Sequence, residues 1–267
     1  MDEKINGIMW SDSGQHPGPA VVFIHGFPFN RSMWDAQVEA LSKSCRVVSL
    51  DVRGHGQSDA GDGQYSLEFF VDDLILGMDR LKIPSAVLCG LSLGGYIALR
   101  AAELHPARFQ GLILCDTKSE ADSDEGRAKR ARTVQAVKKE GVKAFAAGFV
   151  KTVLTEKTLK TRPELVRSVL KMIEANTPLG ISGTLLAMAA RTDTTGALAK
   201  MTLPSLILVG EEDKLTPPSV SKAMAKRIPR AVLHVIPEAA HLSNLENPAA
   251  FNARLLTFLK PFSVSPR

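Results

Sequence analysis

The length of 267 residues predicts one large domain or one domain with an insertion. The composition, 45% hydrophobic and 23% charged with a net charge of +5, is that of an ordinary globular protein. Its basic residues form no block of five like charges and do not alternate with aromatic residues, so nucleic acid is not an expected partner. No run of 18 apolar residues is present, so no membrane span is expected.

Two kinds of segment alternate along most of the chain. Short runs rich in Val, Ile and Leu are typical of strands buried on both faces of a parallel sheet. These runs are Ala20–Ile24, Cys45–Leu50, Ala86–Cys89, Gly111–Cys115, Ser205–Val209 and Ala231–Ile236. Helical patterns lie between them, at Arg31–Lys43, Ser66–Leu81, Leu93–Leu104 and Pro248–Leu259. The alternation predicts an α/β fold with a mostly parallel, doubly wound sheet and right-handed crossovers.

The alternation stops at Asp116 and resumes near Leu203. The residues between these points show only helical patterns, at Gly126–Glu140, Val142–Leu154, Pro163–Glu174 and Ile181–Ala190. One crossover connection needs only about 10–12 residues including its helix. We therefore predict a helical cap insertion over residues 117–202, on a core formed by residues 1–116 and 203–267.

The three cysteines, Cys45, Cys89 and Cys115, each lie inside an apolar, strand-like run, where a free cysteine acts as a small hydrophobic residue. Their odd number and their spacing fit no metal motif, which favours a reducing compartment. The first ten residues, MDEKINGIMW, lack the basic start and apolar stretch of a signal peptide. A cytoplasmic location is expected.

A serine stands between two glycines in Gly90-Leu91-Ser92-Leu93-Gly94, which fits the pattern G-x-S-x-G between a predicted strand and a predicted helix. In that context the pattern indicates a nucleophile elbow, a sharp turn that strains the serine backbone and exposes the hydroxyl. Glycines at both ends avoid a collision in the turn, and the helix N-terminus favours developing negative charge. The alternative is that Ser92 is only a small residue in a tight turn.

A nucleophilic serine needs a base that an acid orients, and in this arrangement both follow the serine along the chain. Three histidines follow Ser92. His105 lies roughly 18 Å along the helix that Ser92 begins, and His234 lies within a predicted strand. We predict His241 as the base, because its loop joins the last strand to the last helix at the carboxyl edge of the sheet; the alternative is a polar loop residue.

The predicted acid is Asp213, in the segment GEEDKLTPP that follows the fifth predicted strand. A carboxylate there can reach the outer nitrogen of His241, fix its tautomer and stabilise the imidazolium. Glu211 and Glu212 are immediate neighbours of Asp213 and could be mistaken for the acid. Asp116, at the end of the preceding strand, is the geometric rival and is otherwise expected only to end that strand.

Two backbone N–H groups are needed to hold the oxyanion. The expected donors are Leu93, directly after the nucleophile, and Phe27, in the loop after an earlier strand. His25 and Gly26 lie in the same turn. Because His25 precedes Ser92 in the chain, we interpret it as a residue that stabilises the turn.

Five segments together carry a family pattern: HGFPFN, LDVRGHGQSD (residues 50–59), GLSLGG, LVGEEDKLTPP and AAHLSNLENP. They resemble the α/β-hydrolase superfamily, and most closely its small bacterial esterase and 3-oxoadipate enol-lactonase-like members. The resemblance covers nearly the whole chain and implies the α/β-hydrolase fold with an inserted helical cap. Relatives that dehalogenate or open epoxides have aspartate where Ser92 stands, which argues against those activities.

The predicted machinery describes acyl transfer to water, so the leading hypothesis is a carboxylesterase for small esters. A lactonase of the 3-oxoadipate enol-lactonase-like kind is the close alternative. Residues 117–200 carry 16 basic and 9 acidic side chains, which would suit an anionic substrate, although solvated helix faces explain these charges more simply. A C–C bond hydrolase, a perhydrolase and a non-catalytic binding protein on the same fold are further alternatives.

No cofactor is expected, because the sequence has neither a metal-binding pattern nor a G-x-G-x-x-G segment after a strand. The expected partner is a small-molecule ester or lactone. The sequence leaves the natural substrate and the oligomeric state open.

Overall fold

The computed structural model describes residues 1–263 and contains eight strands. They are β1 (Asp2–Ile5), β2 (Ile8–Asp12), β3 (Ala20–Ile24), β4 (Arg46–Leu50), β5 (Ala86–Leu91), β6 (Phe109–Cys115), β7 (Ser205–Gly210) and β8 (Ala231–Ile236). These strands form one sheet in the order β1-β2-β4-β3-β5-β6-β7-β8. Strands β3 to β8 pair in parallel, and β2 pairs antiparallel with β1 and with β4. The predicted mostly parallel α/β sheet is confirmed.

Eleven α-helices lie within the described residues. They are α1 (Asp35–Leu41), α2 (Leu67–Arg80), α3 (Leu93–Leu104), α4 (Asp124–Glu140), α5 (Val142–Val153), α6 (Glu156–Thr161), α7 (Pro163–Glu174), α8 (Pro178–Ala190), α9 (Pro218–Ala225), α10 (Ser243–Glu246) and α11 (Pro248–Leu259). Side-chain caps set several starts: the Ser66 hydroxyl accepts the N–H of Phe69 at α2, and the Asn247 side chain accepts the N–H of Ala250 at α11. Such caps satisfy amide groups that have no partner within the helix.

The sheet is buried on both faces because alternate residues of each central strand point in opposite directions. Val22 and Ile24 of β3 belong to one core, which α2, α3 and α9 cover. Val21 and Phe23 belong to the other core, which α1 and α11 cover. Helices on both faces define the doubly wound arrangement. Because all these strands run the same way, their carboxyl ends share one edge of the sheet.

Five helices, α4 to α8, occupy the stretch between β6 and β7, where the sequence predicts only helices. α4 packs against α8, and α5 packs against α7. A 3₁₀ helix over Thr195–Lys200 leads from this group back to the sheet. The division of the chain at residues 117 and 202 into a core and a cap stays a prediction.

The structure differs from the predicted elements mainly at one edge of the sheet. β1 and β2 form a hairpin that the apolar runs do not reveal, since only Ile5 of β1 is buried. The predicted helix Arg31–Lys43 is instead a 3₁₀ helix over Arg31–Trp34 followed by the shorter α1.

Within residues 1–263, no helix has both the length and the apolar character to cross a membrane.

Candidate active site

Ser92 lies in the turn between β5 and α3, with φ of 52° and ψ of −107°. Residues other than glycine rarely have positive φ, so the turn is strained. A Cβ atom at position 90 would lie 2.1 Å from the carbonyl oxygen of Gly94, and one at position 94 would lie 2.1 Å from that of Ile24. Glycine is therefore required at both positions by the close approach of backbone, and the serine side chain lies at the N-terminus of α3.

His241 and Asp213 contact each other at the carboxyl edge of the sheet. Nδ1 of His241 lies 2.8 Å from Oδ2 of Asp213, and both side chains are buried. Asp213 follows β7, and His241 lies in the loop after β8. The structure thus brings together two predicted residues that are 28 positions apart, and the hydrogen bond orients the imidazole.

Three further donors hold the Asp213 carboxylate. The N–H groups of Leu215 and Thr216 donate to Oδ1 at 2.8 and 3.1 Å, and the Thr216 hydroxyl donates to Oδ2 at 2.7 Å. Burial acts to raise the pKa of Asp213, but the charge of His241 and these hydrogen bonds lower it. The carboxylate therefore stays ionised, as an acid that stabilises an imidazolium must. Thr216 is not among the residues predicted from the sequence, although an aspartate that accepts from the backbone two residues on, as Asp213 does from Leu215, is typical of such turns.

The pKa of His241 is raised. Burial lowers it, but the charge and the hydrogen bond of Asp213 raise it more, and the nearby Asp116 acts in the same direction. Asp116 itself is completely buried, and its pKa is raised well above the usual range by burial and by the charge of Asp213. Asp213 has the larger effect on the pKa of His241, because its carboxylate is hydrogen-bonded directly to the imidazole.

Asp116 does more than end β6, contrary to the expectation from the sequence. The N–H of Gly210 donates to Oδ1 of Asp116 at 2.7 Å, and the hydroxyl of Ser243 donates to Oδ2 at 2.5 Å. Gly210 ends β7, three residues before Asp213, and Ser243 comes two residues after His241. Asp116 thus joins the two segments that carry the His241–Asp213 pair, without bonding to either side chain.

Phe27 and Leu93 are the residues whose N–H groups the sequence predicts as oxyanion donors. Phe27 follows β3, and Leu93 is the first residue of α3. Neither N–H donates a hydrogen bond to any acceptor within residues 1–263. The first amides of a helix have no partner within it, so the Leu93 N–H is available to an anion beside Ser92.

His25 and His55, in the segments that follow β3 and β4, are both buried. Nδ1 of His25 lies 2.9 Å from the carbonyl oxygen of Gly26, and the N–H of Val52 donates to Nε2 at 2.8 Å. Burial lowers the pKa of His25 to about 4 and that of His55, with which it packs, to about 3. Both ring nitrogens of His25 are thus engaged in a neutral imidazole, in agreement with its interpretation as a turn residue.

A cavity of about 280 Å³ opens in front of Ser92 and His241. An aromatic cluster on its wall consists of Phe27, in the loop after β3, and of Phe145 and Phe149 of α5, with ring centroids 5.2–6.1 Å apart. The other lining residues are Tyr96, Lys118, Asp122, Gly126, Lys129, Arg130, Thr133, Thr152, Leu185, Met188, Leu215 and Thr216. Helices α4, α5 and α8 therefore supply much of the wall of this cavity.

Ser92 and His241 line this cavity together, but no hydrogen bond joins their side chains within the described chain. Such contacts in catalytic sites are often long and tighten when the substrate binds. Among residues 1–263, no group of three or more His, Cys, Asp and Glu side chains is arranged to hold a metal ion. The arrangement offers a hydroxyl and an oriented imidazole in one cavity, together with the N–H group of Phe27, which also lines the cavity, and that of Leu93, the residue after Ser92.

Comparison with known proteins agrees with the observed fold. A family model described as "alpha/beta hydrolase fold" matches residues 19–248. The 3-oxoadipate enol-lactonase 2 of Acinetobacter baylyi is 30% identical over 256 residues, which cover 96% of this chain and 94% of that protein.

Two solved structures have the same fold along nearly their whole length. A thermophilic esterase from Thermogutta terrifontis superposes with a TM-score of 0.92 at 36% identity, covering 96% of this chain and 94% of the esterase. The enol-lactonase from Burkholderia xenovorans superposes with a TM-score of 0.89 at 29% identity, covering 97% of this chain and 99% of the lactonase.

Proposed function

The chain belongs to the α/β-hydrolase family, and on that premise we propose that it is a serine esterase that cleaves small carboxylic esters. One observation carries the proposal: Ser92, at a strained strand-to-helix turn, lines the same cavity as His241, whose Nδ1 is bonded to Asp213. A nucleophile, a base and an orienting acid are the parts that acyl transfer requires.

The reaction would proceed through an acyl-enzyme. Oγ of Ser92 attacks the ester carbonyl while Nε2 of His241 accepts the hydroxyl proton. The N–H groups of Phe27 and Leu93 hold the oxyanion. When the tetrahedral intermediate collapses, His241 returns the proton to the leaving alkoxide and the alcohol departs. His241 then takes a proton from water, whose oxygen attacks the acyl-enzyme. When this second tetrahedral intermediate collapses to the acid, His241 returns the proton to Oγ of Ser92.

Asp213 would stabilise the imidazolium at each of these proton transfers. The bond from Nδ1 of His241 to the carboxylate leaves Nε2 free to accept the serine proton. The donors from Leu215 and Thr216 hold the carboxylate in its ionised form.

A lactonase is the second candidate, and the similarity to two enol-lactonases favours it. A lactone is a cyclic ester, so the same residues would open it by the same steps. Ester and lactone hydrolysis differ here only in whether the leaving alcohol stays attached to the acyl group.

We also propose that residues 117–202 act as a cap, since α4, α5 and α8 line the cavity.

A panel of esters and lactones tests the proposed function. We expect hydrolysis of at least one class and covalent labelling of Ser92 by a fluorophosphonate, which reacts with an activated serine and not with an ordinary one. A chain that neither hydrolyses any member of the panel nor reacts with the probe would be a binding protein on the same fold.

Short acyl chains should be preferred over long ones. The cavity of about 280 Å³ is small, since pockets for drug-sized ligands occupy about 300–1,000 Å³. A methylene that finds no room costs about 1–3 kcal/mol, so kcat/KM for 4-nitrophenyl butyrate should exceed that for the laurate at least about tenfold. Faster turnover of emulsified long-chain lipid than of soluble short esters would contradict this prediction.

The acid limb of the pH profile should lie at a higher pH than an ordinary histidine would place it. His241 must be neutral to accept the serine proton, and Asp213 raises its pKa. Hydrolysis should therefore fall as the pH drops through that raised pKa. The measurement is kcat/KM against pH with an ester whose leaving group does not titrate; an acid limb at or below the ordinary pKa of histidine would contradict the assignment.

A further inference from the structure

The charged part of the cavity wall is mainly cationic. Lys118, Lys129 and Arg130 line the cavity, and Asp122 is the one Asp or Glu side chain among the lining residues. Lys118 and Asp122 belong to the segment that leads from β6 to α4, and the other two belong to α4 itself. The cavity thus pairs an aromatic wall with a wall that has an excess of positive charge.

The Asp122 carboxylate is already shared by two arginines. Nε of Arg130 donates to Oδ2 of Asp122, and Nη1 of Arg191 donates to Oδ1 at 2.8 Å. Burial acts to raise the pKa of Asp122, but the hydrogen bonds and charges of Arg130 and then Arg191 lower it. Its negative charge therefore compensates the guanidinium groups first.

Arg191 lies behind the wall and does not line the cavity. Its side chain is 1% exposed. It also donates to the carbonyl oxygens of Met188 and Glu120 at 2.8 and 2.6 Å, and its guanidinium lies 4.3 Å from the ring centroid of Tyr96. With these partners, Arg191 acts as a structural cation that holds Asp122 in place.

Lys118, in contrast, lacks close partners. Its Nζ lies 3.8 Å from Oδ1 of Asp122, which is too long for a hydrogen bond, and it donates none to any acceptor in residues 1–263. The side chain is 27% exposed and faces the cavity. Burial and the charge of Arg191 lower the pKa of Lys118, against the opposite effect of Asp122 and Glu120. An anion in the cavity would therefore stabilise the half-buried ammonium of Lys118 by supplying hydrogen-bond acceptors.

We propose that Lys118, assisted by Arg130 and by Lys129 at the exposed rim, binds a carboxylate of the substrate. The inference rests on the proposed function and gives it a substrate class: esters or lactones that carry a free carboxylate away from the scissile carbonyl. A carboxylate would supply the acceptors that the ammonium lacks, and charge-assisted hydrogen bonds are strong where water is partly excluded. The excess of cations over Asp122 suits an anion of low charge.

Solvation alone does not account for Lys118. Most lysines of the helices α4 to α7 are exposed, Lys143 of α5 among them, and an exposed ammonium is satisfied by water. Lys118 is held instead in the wall of the cavity that contains Ser92.

The test uses two methyl esters that differ only in charge: monomethyl glutarate and its neutral amide, methyl 5-amino-5-oxopentanoate. Acid release is followed in a pH-stat, and the readout is the ratio of kcat/KM for the half-ester to that for the amide. We expect a ratio of at least about tenfold in the wild-type protein, equivalent to about 1.4 kcal/mol. The half-esters of succinate and adipate then show which spacing fits the cavity best.

Lys118→Gln should remove most of this preference, and Lys118→Arg should retain it, because the arginine keeps the charge. Lys143→Gln is the matched control; Lys143 is exposed and outside the cavity wall, so its loss should leave the ratio unchanged. Thermal melting establishes that each variant is folded. The wild-type ratio needs no substitution, so the proposal is testable even when a variant does not fold.

The outcomes separate this proposal from the proposed function. Equal kcat/KM for the half-ester and the amide in the wild-type protein, or a preference that survives in folded Lys118→Gln, would overturn the carboxylate site alone. Loss of all ester hydrolysis, together with no fluorophosphonate labelling of Ser92, would overturn the proposed function as well.

Discussion

Ser92→Ala is expected to lower kcat for ester hydrolysis by about 10⁴–10⁶-fold. The hydroxyl oxygen is the proposed attacking atom, and alanine offers nothing in its place. The fold should be retained, because the Ser92 side chain makes no hydrogen bond within residues 1–263. A φ of 52° also strains the backbone of an alanine no more than that of a serine. The measurement is kcat on a short 4-nitrophenyl ester, with a thermal melt of each protein.

Ser42→Ala is the matched control for this experiment. Ser42 is exposed just after α1, outside the cavity wall, so its replacement should change neither kcat nor fluorophosphonate labelling. Substantial hydrolysis by folded Ser92→Ala would mean that another residue is the nucleophile.

Asp213→Asn is expected to lower kcat by about 10⁴-fold near neutral pH. The carboxylate accepts a hydrogen bond from Nδ1 of His241 at 2.8 Å, whereas an asparagine can donate there and favour the wrong tautomer of the imidazole. The charge that stabilises the imidazolium is lost as well. Turnover should be compared at equal foldedness, which thermal melting establishes.

Asp116→Asn provides the contrast. Burial and the charge of Asp213 raise the pKa of the Asp116 carboxyl well above its usual range, which favours the neutral form that an amide of similar shape resembles. The amide oxygen can accept from the Gly210 N–H, and the amide nitrogen can donate to the Ser243 hydroxyl. We expect a loss of no more than about tenfold, since one net hydrogen bond contributes about 0.5–1.5 kcal/mol. An inactive Asp116→Asn beside an active Asp213→Asn would place the acid after β6.

Local patterns in the sequence were sufficient for most of the fold. Six apolar runs correspond to β3 to β8, and two of them, Ala20–Ile24 and Ala231–Ile236, match the observed strands to the residue. The central strands are predictable from the sequence because burial on both faces leaves a continuous apolar run, whereas β8 has such a run although it lies at the edge of the sheet. The hairpin of β1 and β2 lacks such a run, although its turn, Asn6-Gly7, is a strong hairpin signal that the apolar pattern does not register.

The candidate site, like the fold, could be predicted from the sequence only in part. The sequence by itself determined the positions of Ser92, Asp213 and His241 as candidates, because residue type, chain order and the ends of predicted strands are local information. Only the tertiary structure decided that Asp116 bonds to Ser243, 127 positions away, and that Lys118 lacks a close partner while Asp122 binds Arg191, 69 positions along the chain. The Asp116–Ser243 contact depends on how the segments after β6 and β8 meet at the carboxyl edge of the sheet. The contacts of Lys118 and Asp122 depend on how the helices between β6 and β7 pack, and the apolar faces of those helices do not specify which charged side chains meet.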